Sequence, residues 1–127
     1  MPNPQDIALA AAGIIGAGVA VIHGLLTQRF IVGPVERETA TRLPRQIRRL
    51  SAVLTQFSTF NWLVGGLALV ACAFAFGPEA RLFVGLLVAS SYLFAAIGNC
   101  WATRARHPGW VLYGGALVLI AYGLAPG

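Results

Sequence analysis

The sequence predicts an all-α integral membrane bundle of four transmembrane helices with both termini outside (N-out/C-out). Of its 127 residues 57% are hydrophobic and only 10% are charged, whereas a soluble domain carries about 25% charged residues. Four segments, 7–28, 50–78, 82–103 and 107–127, contain no Asp, Glu, Lys or Arg. Each reaches the roughly 20 apolar residues that a spanning helix needs. The nine basic residues are all arginine, and all but Arg81 lie between the first and second segments or between the third and fourth. A water-soluble fold of this size could not cover its surface with so few charges. The composition excludes a soluble enzyme, a disordered tail, a collagen-like repeat and a disulfide-stapled secreted module.

The expected helices run over about 7–27, 50–76, 80–103 and 109–125, within a single transmembrane domain 1–127. Gly33-Pro34 reads as the stop of the first helix. The basic loop 29–49 follows, with a short interfacial helix over 36–43 in which Glu38 and Arg42 stand in the favourable i,i+4 order. Pro44 suits the first turn of the second helix. Arg45, Arg48 and Arg49 then fall on one helix face, where arginines anchor to lipid phosphate or hold a specific anionic ligand. Gly77-Pro78-Glu79 forms a minimal turn between the second and third helices. The basic stretch 104–108 joins the third to the fourth.

Four spans put the 29–49 loop and the 104–108 link on the same side. Eight of the nine arginines then share that side, which the positive-inside rule makes cytoplasmic. The expected location is a bacterial inner membrane, with Arg45, Arg48, Arg49, Arg104 and Arg106 forming a basic cytoplasmic rim. The net charge of +5 is spent at membrane boundaries, so no nucleic-acid partner is expected. The stretch before Arg29 has Asp6 and no basic residue, and no cleaved signal peptide is expected from it.

In lipid, small and polar residues carry the packing information, because apolar residues suit either environment. In the first helix Ala8, Ala12, Gly16, Ala20 and Gly24 recur every fourth residue and make a ridge that admits another helix closely. His23 lies about 20° from Gly16 on the helical wheel and points into the same face. The second helix gathers Ser58, Asn61, Gly65, Ala68 and Cys72 on one side. The third gathers Gly85, Ala89, Tyr92, Ala95, Ala96, Asn99 and Thr103, and the fourth Gly114, Val118, Ala121 and Ala125. Turning these faces inward brings His23, Ser58, Asn61, Tyr92 and Asn99 together in the cytoplasmic half of the bundle. Such a cluster is either interhelical hydrogen-bond glue, worth about 0.6 kcal/mol per bond, or the lining of a binding pocket. Trp62, Trp101 and Trp110 read as packing or interfacial anchors, and His107, just before Pro108-Gly109, as a cap at the membrane boundary.

Other chemistry is sparse. No carboxylate lies inside a span, which disfavours a proton- or cation-coupled transporter. His23, His107 and two distant cysteines make no metal-ligand spacing, and neither a metal nor a cofactor is expected. Cys72 and Cys100 lie on the order of 25 Å apart along the membrane normal, too far for a disulfide. Gln56-Phe57-Ser58-Thr59-Phe60 resembles the Thr-Phe-Ser-Thr-type motif of small fluoride channels over five residues. It stands in the second span rather than the third, and the early basic residue of that family is missing, so no family follows from it.

The expected function is that of a small polytopic membrane protein without a catalytic motif. Its partners are membrane lipids, another copy of the chain or a partner membrane protein. The alternative is a small oligomeric transporter or channel for a neutral or anionic solute. A third reading is a membrane enzyme acting on a lipid-like substrate, with His23 as the only acid–base group inside a span.

Overall fold

The computed structural model describes residues 1–125 as an all-helical bundle. Pro126 and Gly127, the end of the expected domain, lie outside the described residues. The chain begins with α1 (Pro4–Thr27), passes through a π-helical turn (Gln28–Val32) and continues as α2 (Gly33–Glu38). It returns as α3 (Arg45–Ala75), turns back as α4 (Pro78–Ala102) and closes with α5 (Gly109–Gly123). Three helical segments, Pro4–Glu38, Arg45–Ala75 and Pro78–Ala102, are long and apolar enough to cross a membrane. The fourth, α5, is apolar but only 15 residues long, about 22 Å at 1.5 Å per residue.

The start of α1 is encoded locally. The Asn3 side chain accepts the Asp6 N–H at 2.8 Å, and the Asp6 carboxylate accepts the Asn3 N–H at 3.1 Å. This reciprocal cap satisfies two donors that the first turn would leave free, with Pro4 at a position that needs no N–H. Asp6 also pairs with Arg81 of α4 at 2.5 Å, and the Gln5 side chain donates to the Ala125 carbonyl at 3.0 Å. These bonds tie α1 to α4 and to the residues just after α5.

The first helix does not stop at Gly33-Pro34. Proline lacks an N–H and its ring crowds the carbonyl four residues back. Here the preceding turn widens to π geometry, and the Gly33 N–H reaches the Gln28 carbonyl five residues back. That shift makes room for Pro34 in the first turn of α2. The expected interfacial helix over 36–43 is correspondingly replaced: α2 ends at Glu38, and turns carry the chain to Pro44.

In the bundle α1 packs on α3 and α5, and α4 packs on the same two helices. The ridge on α1 is buried at all five positions, Ala8, Ala12, Gly16, Ala20 and Gly24. The closest approach lies one residue off that ridge. A Cβ on Gly66 would sit 2.6 Å from the Gly13 carbonyl oxygen and 2.7 Å from the Ala17 nitrogen. The α1 and α3 backbones therefore touch directly, the geometry that small residues permit in membrane helix pairs. Leu9, Leu69, Tyr92, Tyr113 and Ile120 fill the centre, while Ile14, Leu25, Phe57, Leu86 and Phe94 are exposed on the outside. An apolar exterior around a packed interior is what a lipid environment requires.

Two expected faces are turned. On α3 the buried residues are Trp62, Gly66, Leu69, Cys72 and Ala73. Of the residues expected inward, Cys72 is buried, Ser58, Gly65 and Ala68 are half-buried, and Asn61 is exposed. The bulky Trp62 ring takes the interior, which rotates the helix by about one residue, or 100°. On α5 the inward residues are Gly109, Tyr113, Ala116, Ile120 and Gly123, whereas Val118, Ala121 and Ala125 are exposed. Tyr113 decides that orientation by filling the centre beside Tyr92.

The α4 terminus is closed by paired bonds. The Arg104 N–H reaches the Trp101 carbonyl at 3.3 Å, and the Ala105 N–H reaches the Cys100 carbonyl at 2.8 Å. This is a Schellman termination, but Arg104 and Ala105 occupy the left-handed region at φ 50° and 59°. Cys72 and Cys100 are both free thiols.

Candidate functional site

The face of α1 that carries Gly16 reaches His23 two turns later. At that level the His23 ring meets Trp62 of α3 edge-on, with centroids 4.8 Å apart. Its Nε2 lies 3.2 Å from the Thr27 hydroxyl, one turn further along. Thr27 is itself buried, so the imidazole is held from two sides. Trp62 in turn packs on Tyr113 at 5.2 Å, and Tyr113 on Tyr92 at 4.9 Å. The four rings form a continuous row from the His23 level into the bundle centre, in the tilted and edge-on arrangements that aromatic quadrupoles favour.

His23 and Asn99 line one cavity of about 220 Å³ between α1, the end of α4 and the start of α5. His107 and Tyr113 share it, and Ile22, Leu26 and Leu112 form its apolar walls. These three wall residues are exposed on the outside of the bundle, and His107 and Pro108 are exposed in the link before α5, so the cavity is an open groove. Local hydrogen bonds fix its polar side chains. The Asn99 amide donates to the Ala95 carbonyl at 2.9 Å, and the Thr103 hydroxyl donates to the Asn99 carbonyl at 2.6 Å. The His107 Nδ1 accepts the Gly109 N–H at 3.1 Å, which serves as the expected boundary cap at the start of α5. An accepting Nδ1 leaves the neutral imidazole proton on Nε2, and that N–H is a donor.

The other expected cluster members lie elsewhere. The Ser58 hydroxyl donates to the Thr55 carbonyl of its own helix at 3.3 Å. Asn61 donates to Ser91 at 2.9 Å across the α3–α4 edge, on the outside of the bundle and away from His23. Tyr92 is fully buried with its hydroxyl against Gly16, and neither its hydroxyl nor that of Tyr113 has a hydrogen-bond partner. The expected five-residue cluster thus divides: His23 and Asn99 come together, Tyr92 stays in the core, and Ser58 and Asn61 take no part. In the basic rim Arg45, Arg49, Arg104 and Arg106 are exposed. Arg48 is half-buried and donates to the Glu36 carbonyl at 3.2 Å.

Sequence reasoning missed Thr27, Trp62 and Tyr113 as neighbours of the site, and it treated His107 only as a cap. The spacing of Thr27 four residues after His23 was a usable signal. Nothing local marked Trp62 as interior. Among the described residues no three His, Cys, Asp or Glu side chains gather as a metal site. Two imidazoles and an amide in the lining of an apolar groove can hold the oxygen atoms of a lipid-phase molecule whose hydrocarbon part rests on the aliphatic residues. Comparison of the chain with family models, curated proteins and solved structures finds no match.

Proposed function

We propose that this protein is a small multi-pass protein of a bacterial inner membrane that binds a membrane lipid in the His23–Asn99–His107 groove. One observation carries the reading: two imidazoles and an amide share one groove with aliphatic residues that are exposed on the outside of the bundle. Ile22, Leu26 and Leu112 would receive an acyl chain. The His107 Nε2–H and the Asn99 amide lie where ester or hydroxyl oxygens would be met.

In this reading the chain crosses the membrane four times, N-out and C-out. Eight arginines at one end, with Arg81 alone at the other, support that orientation. The short α5 is accommodated by local bilayer thinning and by its packing between α1 and α4. A transporter or channel is less well supported, because aromatic and aliphatic side chains fill the bundle centre. A lipid-modifying enzyme would have His23 as its only acid–base group within a span.

Native mass spectrometry of the protein extracted in mild detergent tests the lipid reading. Wild type is expected to retain a lipid that His23→Ala and Leu112→Trp both lose while keeping their helix content. Equal retention by all three proteins would refute it.

A further inference from the structure

We infer that the helical hairpin projecting beyond the bundle holds a phosphate group, carried by an anionic membrane phospholipid, with Arg48 as its cation. The site is separate from the His23 groove and does not depend on it.

The projection follows from helix lengths. His23 of α1 and Asn99 of α4 share one cavity, and α4 ends at Ala102. The first helical segment continues to Glu38, a further 16 Å or so past Thr27 at about 1.5 Å per residue. The start of α3 runs alongside it. The stretch 29–49 holds six arginines against Glu36 and Glu38, and Phe30, Ile47 and Leu50 on the same hairpin are exposed. Arginines interleaved with exposed apolar side chains suit the headgroup layer, where hydrocarbon and phosphate meet.

A cavity of about 200 Å³ lies between the two arms of this hairpin. Ile31, Val32 and Val35 wall one side, and Arg48 and Ser51 lie on the other. The Thr39 and Thr55 hydroxyls are already committed to the Val35 and Ser51 carbonyls. Glu36 also lines the cavity, but it meets Arg48 only through its backbone carbonyl. The only ion pair among the described residues is Arg81–Asp6, so the Arg48 charge has no carboxylate partner there.

The Arg48 Nε–H is buried and has no acceptor. A buried donor on a charged group is costly to leave unpaired. Arg48 lines the cavity and one terminal nitrogen is taken by the Glu36 carbonyl, which leaves the other to donate to a phosphate oxygen there. The exposed Arg45 and Arg49 nearby raise the local concentration of anions without entering the cavity. A phosphate with attached hydrocarbon satisfies both halves of the lining, the guanidinium and the aliphatic wall.

The test uses the full chain in nanodiscs of phosphatidylcholine titrated with phosphatidylglycerol, with retained lipid counted by native mass spectrometry. Wild type is expected to enrich phosphatidylglycerol, and Arg48→Gln to lose that preference roughly tenfold, the scale of one charge-assisted hydrogen bond. Ala52→Phe fills the cavity while keeping the guanidinium, and the same loss is expected from it. It decides the matter should Arg48→Gln disturb the hairpin. Arg49→Gln, on the exposed side, is expected to change the preference by less than about twofold. Competition by millimolar inorganic phosphate would support the cavity as a phosphate site but overturn its assignment to lipid. Equal losses from Arg48→Gln and Arg49→Gln, or none from Ala52→Phe, would overturn the site.

Discussion

Adding one methyl group at Gly16 tests the packing of the bundle centre. A Cβ there would coincide with the Tyr92 hydroxyl and would lie 2.7 Å from Tyr92 Cε2. Tyr92 has no exposed surface and is braced by Tyr113. Flipping its ring leaves the hydroxyl in place, because the oxygen lies on the flip axis. Relief therefore requires a changed χ1 or a displaced helix, and such overpacking costs about 1–3 kcal/mol. Alanine for glycine in a helix interior contributes roughly 0.5–1 kcal/mol in the opposite direction. Gly18→Ala isolates that contribution, since nothing lies within 4 Å of a Cβ at Gly18. We expect Gly16→Ala to unfold earlier than wild type, and Gly18→Ala to match or exceed wild type. Unfolding by SDS titration in mixed micelles, followed by circular dichroism, measures both. Tyr92→Leu combined with Gly16→Ala should recover part of the loss, as coupled neighbours do. Equal stability of Gly16→Ala and Gly18→Ala would refute the contact and the inward orientation of the α1 ridge.

Three further outcomes are expected. Arg104→Gly should raise the thermal midpoint, because its left-handed φ of 50° costs a residue with a Cβ about 1–2 kcal/mol; a lowered midpoint would mean that the arginine side chain holds the turn. Asp6→Asn should reduce stability slightly and remove a salt-sensitive part of it, since the Arg81 pair is only partly buried; an unchanged salt dependence would contradict this. Thr39→Cys, in a background with Cys72 and Cys100 replaced, should resist an impermeant thiol reagent in intact cells, while Asn3→Cys reacts once any outer membrane is permeabilised. The reverse labelling pattern would invert the orientation.

How far the sequence was readable depended on which residues signal burial in a membrane protein. The α1 ridge was legible because one small residue in four leaves a single smooth face, and all five positions are buried. The inward side of α4 was legible for a similar reason, with Gly85, Tyr92 and Ala95 buried. On α3 polar residues misled. Asn61 satisfies its amide sideways on Ser91, which frees Trp62 to turn inward. Gly65 and Gly66 are adjacent, so spacing alone could not tell which meets Gly13. In α5 small residues surround the helix, and only packing against Tyr92 and Trp62 selects Tyr113 as the inward residue. The stop expected at Gly33-Pro34 failed because a single π turn absorbs a proline, and no local residue pattern announces that turn. Of the site, His23 and Asn99 could be matched by depth and face. His107 could not, because its place in the cavity depends on how the 103–108 link folds back.

Site-mapped photolabelling with a diazirine-bearing phospholipid in native membranes tests lipid binding in the His23 groove most directly. Adducts concentrated on Ile22, Leu26 and Leu112, and reduced in His23→Ala, are the expected result. Adducts spread evenly over exposed residues such as Ile14, Phe57, Leu86 and Phe94, and indifferent to His23, would contradict it.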